Sequence, residues 1–311
     1  MINQHQDPQK ILIVLAGPTA VGKTELAMRL AGHYQCEIIS ADSRQIYKEL
    51  QIGTAKPPKE YTTSITHHMI DVVSIHEPFD VATFESQTLK LLDRLFQNHS
   101  TIILCGGTGL YIQAILYGLD PFPNIEKNVK DAWNQLYKEC GIQYLRDQLA
   151  QSDPAYYENV DLSNPHRLIR ALSVIQTSGR PYSSFLTGQR TKRNFQPVKI
   201  LLDRPRDELY NRIHQRVDEM MDSGFLDEVK SFHDKAHLPA LNTVGYQELI
   251  AHLENQHSLS RAIELIKQNT RRYAKRQLTW FRNKDKFQTF HPNEEDNIIQ
   301  YIDSQINPLQ Y

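Results

Sequence analysis

Apolar and polar positions follow two rhythms along this chain. Short unbroken apolar runs stand at Ile11-Leu-Ile-Val-Leu-Ala16, Glu37-Ile-Ile-Ser40, Thr101-Ile-Ile-Leu-Cys105 and Pro197-Val-Lys-Ile-Leu-Leu-Asp203. Runs of this length, bounded by turn residues, predict buried strands of a parallel sheet. His67-His-Met-Ile-Asp-Val-Val73 predicts one more short strand. Between the strands the spacing changes to three and four. Glu25-Leu-Ala-Met-Arg-Leu-Ala31 opens a helix, and Asp80 is placed to cap another that carries Phe84, Thr88, Leu91 and Leu95 on one face. From Gly118 the strand signal stops. Leu119-Asp-Pro-Phe-Pro-Asn124 reads as a linker, and helical periodicity follows to about Arg193. Within it, Asn164 is an N-cap and Pro165 the first helical residue, which sets Arg167 and Arg170 on one face and Leu168, Leu172 and Ile175 on another. The last third is helical again, with a stripe at Leu209, Ile213, Val217 and Met220 flanked by Arg212 and Arg216. Asn242-Thr-Val-Gly-Tyr-Gln-Glu248 starts a helix, and Ile263, Ile266, Thr270, Tyr273, Gln277 and Trp280 form a further stripe. The pattern predicts an α/β core, residues 1–117 and 197–311, closed by the 197–203 strand, with a helical insertion at 118–196.

The turn after the first apolar run carries chemistry. Gly17-Pro-Thr-Ala-Val-Gly-Lys-Thr24 has the spacing of a phosphate-binding loop, with a strand before it and a helix after it. Loop N–H groups and the unpaired N–H groups of the helix's first turn converge on one spot, and the helix dipole adds positive potential. Lys23 supplies a point charge, and the Thr24 hydroxyl is placed to ligate Mg²⁺. The expected fold is therefore a P-loop NTPase-like parallel sheet flanked by helices. Such a loop implies polyphosphate without naming the reaction.

Composition narrows the partners. The 311 residues are 40% hydrophobic, enough for a full core and more than one domain. Formal net charge is −1, so a polyanionic partner must be met by local charge. Met1–Asp7 lacks the basic and apolar regions of a leader, and no apolar run reaches membrane-spanning length, so no membrane partner is expected. Cys36, Cys105 and Cys140 lack metal-ligand spacing and suit a reducing cytoplasm. A monomer is expected.

Other candidates cluster at strand ends. Asp42 leaves the carboxyl end of the second strand, where α/β sheets place ligands; the alternative role is a turn residue. Gly106-Gly-Thr-Gly-Leu-Tyr111 is a second glycine-rich strand-to-helix turn without a lysine, and Thr108 offers a hydroxyl there. His67 and His68 are expected to be structural, since no third ligand lies at a familiar spacing. Between Arg261 and Phe287 positive charge accumulates: Arg261, Lys267, Arg271, Arg272, Lys275, Arg276, Arg282, Lys284 and Lys286, against Glu264 and Asp285. With Tyr273, Trp280 and Phe281 interleaved, this is an electrostatic footprint for a polyanion such as RNA; the alternative is a solvated helix face whose aromatics, spaced at the helical period, belong to the core.

These pieces resemble a known family along nearly the whole chain. Gly17–Thr24, Ser40-Ala-Asp-Ser-Arg-Gln-Ile-Tyr47, Gly53-Thr-Ala-Lys-Pro57, His67-His-Met-Ile-Asp71, Gly106–Tyr111, Asn164–Arg170, Thr243-Val-Gly-Tyr246 and Lys275-Arg-Gln-Leu-Thr-Trp-Phe-Arg282 are similar in order and spacing to the bacterial tRNA dimethylallyltransferases. The resemblance implies transfer of a dimethylallyl group from dimethylallyl diphosphate to N6 of adenosine 37, in the anticodon stem-loop of tRNA. It implies that Gly17, Pro18, Thr19, Ala20, Val21, Gly22, Lys23 and Thr24 hold the diphosphate with Mg²⁺ on Thr24. It further implies that Lys23 stabilises the leaving group, Thr19 lies by the donor and Asp42 accepts the N6 proton. Asp42, Ser43, Arg44, Gln45, Thr108, Lys130, His166, Arg167, Leu168, Ile169 and Arg170 are then tRNA contacts. Relatives often carry Arg at position 130 and Gln at 166. Three alternatives are a small-molecule kinase with an Arg-rich lid, a non-catalytic RNA-binding NTPase, and an isopentenyltransferase acting on free adenine nucleotide.

Overall fold

The computed structural model describes residues 9–306. Six strands form one wholly parallel sheet: β1 (Ile11–Ala16), β2 (Ile38–Ser40), β3 (His67–His68), β4 (Thr101–Gly106), β5 (Gln196–Leu202) and β6 (Gln288–Phe290), in the order β3-β2-β4-β1-β5-β6. β1 is central and buried along its whole length, in register with β4 from Ile11–Thr101 to Ala16–Gly106. Being covered on both faces is why it reads as a continuous apolar run. The chain steps outward from β1 to β2 and β3, returns through β4 and then crosses to β5. The carboxyl ends of β2, β4 and β1 are therefore neighbours on one side of the point where the order reverses, the place where such sheets hold ligands.

Helices α1 (Lys23–Tyr34), α2 (Lys59–Ser64), α3 (Val81–Leu95) and α4 (Gly109–Tyr117) alternate with the first four strands. The chain divides into two compact units, one running to Leu116 and resuming at Lys192, the other Tyr117–Thr191. Residues 192–196 thus belong with the sheet: Arg193 donates to Ile115 O (2.8 Å) and pairs with Glu85 (2.6 Å). The second unit is helical, with α5 (Lys127–Ser152), α6 (Pro154–Tyr157) and α7 (Pro165–Ser178). Its core joins Leu145 and Leu149 of α5 to Leu168, Ile169 and Leu172 of α7. The buried Asp153 carboxylate accepts from Tyr156 N (3.1 Å), Ser183 N (2.7 Å) and Ser183 Oγ (2.8 Å), tying its short elements together.

Back in the first unit follow α8 (Arg206–Asp222), α9 (Phe225–Lys230), α10 (Tyr246–Leu253), α11 (Leu259–Lys284) and α12 (Glu295–Ile306). One core packs β1, β4 and β5 against Leu26 and Leu30 of α1, Leu209 and Ile213 of α8, and Ile298 and Ile302 of α12. A second gathers Ile46, Leu50, Phe225, Tyr246, Leu249 and Ile266.

The structure departs from the sequence reading in four places. The 67–73 strand stops at His68, because Met69 (φ 59°) and Asp71 (φ 56°) turn left-handed and leave Val73 a single bridge to Tyr47. β5 does not close the sheet; β6 adds a sixth strand that the sequence reading missed, since Gln288 and Thr289 are exposed and lack an apolar run. Asp80 caps α3 as expected, accepting from Thr83 N at 2.8 Å, yet the buried face uses Leu92 where Leu91 was expected. Leu168 and Ile169 lie in the core of their unit, so their side chains are withdrawn from any RNA. Among the described residues, no helix is long and apolar enough to cross a membrane.

Candidate active site

The Gly17–Thr24 loop leaves β1 and enters α1 as anticipated. Gly22, at φ 108°, takes the left-handed step that starts the helix, a conformation costly for any residue with a Cβ. The loop's carbonyls are taken up by cations. Lys23 Nζ donates to Gly17 O (2.9 Å) and Pro18 O (2.8 Å), Arg212 Nε to Ala20 O (2.9 Å), and Arg204 Nε to Val21 O (2.7 Å). Among the described residues, the N–H groups of Ala20, Gly22, Lys23 and Thr24 have no acceptor. Carbonyls satisfied by cations beside unpaired N–H groups suit an anion nest.

Charge is concentrated there. Burial pushes the Lys23 ammonium down to about 8, with Arg216 adding to the fall and Cys105 and Asp42 opposing it. Arg216, one turn beyond Arg212 on α8, is pressed downward by burial and then by Arg212, and senses Glu25 and Asp42 across the site. Its guanidinium has no hydrogen-bond partner among the described residues. A desolvated lysine and a desolvated arginine beside open N–H groups favour a multiply charged anion.

The neighbouring turns complete the site. Asp42, just beyond β2, accepts from Arg44 N (2.8 Å) and Gln45 N (3.4 Å) through Oδ1. That oxygen ties down its own turn, as the alternative role required, while Oδ2 carries no hydrogen bond among the described residues. Asp42 lies within electrostatic reach of Lys23, Arg216, Tyr111 and Tyr273. Burial pushes the Tyr273 phenol up to about 12, and Asp42 adds to the rise. Thr108 binds the Asp42 turn: its N–H donates to Ala41 O (3.1 Å) and its Oγ1 accepts from Ser43 N (3.0 Å). Gln45 faces inward, with Nε2 on Thr54 O (3.3 Å) and Ala55 O (3.1 Å) and Oε1 accepting from Ser40 Oγ (3.0 Å). Arg44 reaches the carbonyls of Pro239 and Ala240 (both 3.4 Å). The Gly53 loop is held in turn by Glu228, which accepts from the N–H groups of Gln51 (3.1 Å), Ile52 (2.7 Å) and Gly53 (3.1 Å) and from Tyr246 Oη.

Two residues at the site were not singled out from sequence. Arg216 appeared only as a flank of a helical stripe. Gln277 appeared within the α11 stripe, where it is buried. Its Oε1 accepts from Thr19 N (2.9 Å) and its Nε2 donates to Gly107 O (2.9 Å). A buried amide on an otherwise apolar face was the available signal.

The remaining candidates fall elsewhere. Lys130 on α5 and His166, Arg167 and Arg170 on α7 are exposed in the second unit, and the Arg170 guanidinium lies 5.5 Å from the centre of the Phe122 ring. His67 Nδ1 sits 2.9 Å from Ile65 O, and His68 and His99 both approach Glu37. Among the described residues, no His, Cys, Asp and Glu group of three could hold a metal ion. A cation here would need ligands of another kind. The half-buried Thr24 hydroxyl makes no hydrogen bond among the described residues, and together with phosphate oxygens and water it fits the sparse protein ligation of Mg²⁺. On α11, Arg272, Lys275 and Arg276 are exposed and have no carboxylate partner among the described residues, whereas Arg271 turns to His214 of α8, and Lys267 and Arg282 pair with Asp218 and Asp203. A cavity of about 340 Å³ between α8 and α11, lined by His214, Arg261, Glu264, Lys267, Gln268 and Arg271, contains no P-loop residue.

Comparison with known proteins places this geometry in a family. The family model described as IPP transferase matches residues 45–284. A tRNA dimethylallyltransferase of Christiangramia forsetii is 45% identical over 297 residues, covering 95% of this chain and 98% of that protein. That of Flavobacterium johnsoniae is 45% identical over 300 residues, covering 94% and 97%. Among solved structures, the full-length tRNA isopentenylpyrophosphate transferase of Bacillus halodurans superposes with TM-score 0.72 at 33% identity, covering 96% of this chain and 98% of its own. A eukaryotic dimethylallyltransferase acting on tRNA shares the fold, with TM-score 0.82 at 24% identity over 96% and 80% of the two chains. With a family model spanning most of its length and relatives this similar end to end, the chain belongs to the IPP transferase family.

Proposed function

We propose that this protein transfers a dimethylallyl group from dimethylallyl diphosphate to N6 of adenosine 37 in the anticodon stem-loop of tRNA. The observation that carries the reading is the pairing of an anion nest with a carboxylate. Open N–H groups, Lys23 and Arg216 stand at the end of β1, and Asp42 stands at the end of β2, in a chain whose relatives are named for this transfer. A kinase would share the nest, but the exposed Arg272, Lys275 and Arg276 on α11 favour a polyanionic acceptor.

The chemistry is a displacement at the prenyl C1. A bond forms from adenine N6 to C1, the C1–O bond breaks, and diphosphate leaves with the bonding pair. The N6 proton passes to Asp42 Oδ2, the oxygen left open by the turn. The N6 lone pair is delocalised into the ring, so its nucleophilicity develops as that proton departs, and a positioned base lowers the barrier. Charge growing on the leaving oxygen meets Lys23, Arg216 and the loop N–H groups, which are already oriented and partly desolvated. Thr24 would hold Mg²⁺, which when bound supplies further charge neutralisation on the diphosphate. The base must leave its stack to reach Asp42, as for other enzymes that modify a nucleobase.

The test is incubation with labelled dimethylallyl diphosphate, Mg²⁺ and unmodified tRNA, with AMP as alternative acceptor and ATP as alternative donor. Label in tRNA that maps to adenosine 37 is the expected result. Label in AMP alone, or phosphate transfer from ATP alone, would overturn the reading.

A further inference from the structure

We propose that Gln277 is a positioning residue that holds the phosphate loop in register with the Gly106–Gly109 turn, and so sets where the donor's diphosphate lies relative to Asp42. The inference rests on the prenyl-donor reading above. Its basis is one side chain spanning two turns that leave neighbouring strands. Thr19 N offers a donor at the end of β1, and Gly107 O offers an acceptor at the end of β4. These fixed backbone polarities dictate the orientation of the amide, with Oε1 toward Thr19 and Nε2 toward Gly107.

Few other side chains can do this. An ionised glutamate has no proton to donate, asparagine is one methylene shorter, and methionine matches the length without hydrogen bonding. A Cβ on residue 107 would overlap Gln277 Nε2, so a larger residue there would displace the amide from its place between the two turns. The Gly107 turn is itself joined to the Asp42 turn, through Thr108 N on Ala41 O and Thr108 Oγ1 on Ser43 N. A continuous set of hydrogen bonds thus runs from Thr19 through Gln277, Gly107 and Thr108 to the turn carrying Asp42. Removing the amide leaves a donor on the phosphate loop and an acceptor on the second turn without partners, and frees the two turns to drift. A catalytic geometry loosened by about 1 Å loses much of its rate advantage.

The experiment compares the parent with Q277M and Q277E, measuring donor KM and kcat at saturating tRNA, and tRNA affinity separately. Q277M removes both hydrogen bonds and is expected to raise donor KM by roughly ten- to a hundredfold, the size of two lost buried hydrogen bonds, with tRNA affinity within about twofold of the parent. Q277E adds a readout that a mere packing role would not move. Ionised, its carboxylate opposes Gly107 O; protonated, it donates to that oxygen while accepting from Thr19 N. Its donor KM, taken relative to the parent at each pH, should therefore fall toward one as pH is lowered from 8 to 6, while the Q277M ratio stays flat. The titrating groups of the site itself, Lys23, Asp42, Cys105, Arg216 and Tyr273, are common to all three proteins and divide out of that ratio. A Q277M donor KM within about twofold of the parent, a Q277E ratio independent of pH, or an equal loss of tRNA binding would overturn the positioning role. Failure of the parent to transfer label would instead strike the proposed function.

Discussion

Raising the pH from about 7 to about 9 should weaken donor binding roughly tenfold, and Lys23 is the cause. Burial brings its ammonium down to about 8 from 10.5. In the free protein the charge proposed to meet the diphosphate is therefore lost from about pH 8 upward. A bound diphosphate restores it, since a neighbouring anion raises a lysine's pKa. If only the protonated form binds, affinity falls by the factor 1 + 10^(pH − 8), about 1.1 at pH 7 and about 11 at pH 9. Stability must move the other way. The folded pKa lies below the unfolded one, so the cost of burying the cation applies in full below pH 8 and disappears above 10.5. The shift corresponds to about 3 kcal/mol as an upper figure. Calorimetric titration with dimethylallyl diphosphate, in buffers of differing ionisation enthalpy, should show uptake of about 0.75 proton near pH 8.5. Lys23→Met should bind weakly at pH 7 and show neither pH dependence nor proton uptake. A parent affinity that changes less than about twofold across this range, or that tracks the Lys23→Met profile, would refute the reasoning.

Three further outcomes follow from the geometry. Asp42→Asn preserves shape and can keep the turn's hydrogen bonds but cannot take the N6 proton, so single-turnover transfer should drop by about 10²–10⁴ while tRNA and donor still bind; turnover within about threefold of the parent would exclude a general base. Replacing Arg272, Lys275 and Arg276 together by Gln should weaken tRNA binding and flatten its salt dependence with donor affinity unchanged, as filter binding across a salt series would show. Glu228→Gln removes the charge that accepts from three successive N–H groups and should lower stability by about 1–3 kcal/mol in urea denaturation, with loosening confined to the 51–55 loop and its contact with Gln45.

Local sequence was enough to specify much of this molecule. The run Ile11–Ala16 is a strand because a segment apolar on both faces must be covered on both, and Gly17–Thr24 is an anion nest because its glycines and helix start leave N–H groups unpaired. The Asp80 and Asn164 caps and the start of α7 at Pro165 depend on contacts within a few residues and were legible in the same way. What lay beyond reach depends on pairs far apart in the chain. β6 is too short and too polar to declare itself; it exists because β5 offers it an edge. Leu92 replaces Leu91 on the buried side of α3 because the elements that pack against the helix, and not the helical period alone, decide which positions are covered. Arg216 became visible as a site residue only when α8 was laid against the phosphate loop. Gln277 meets Thr19 across 258 positions of sequence and Gly107 across 170. Periodicity records which face of a helix is buried, but it carries no information about which backbone group will wait there, and that is decided only when the sheet and α11 close on each other.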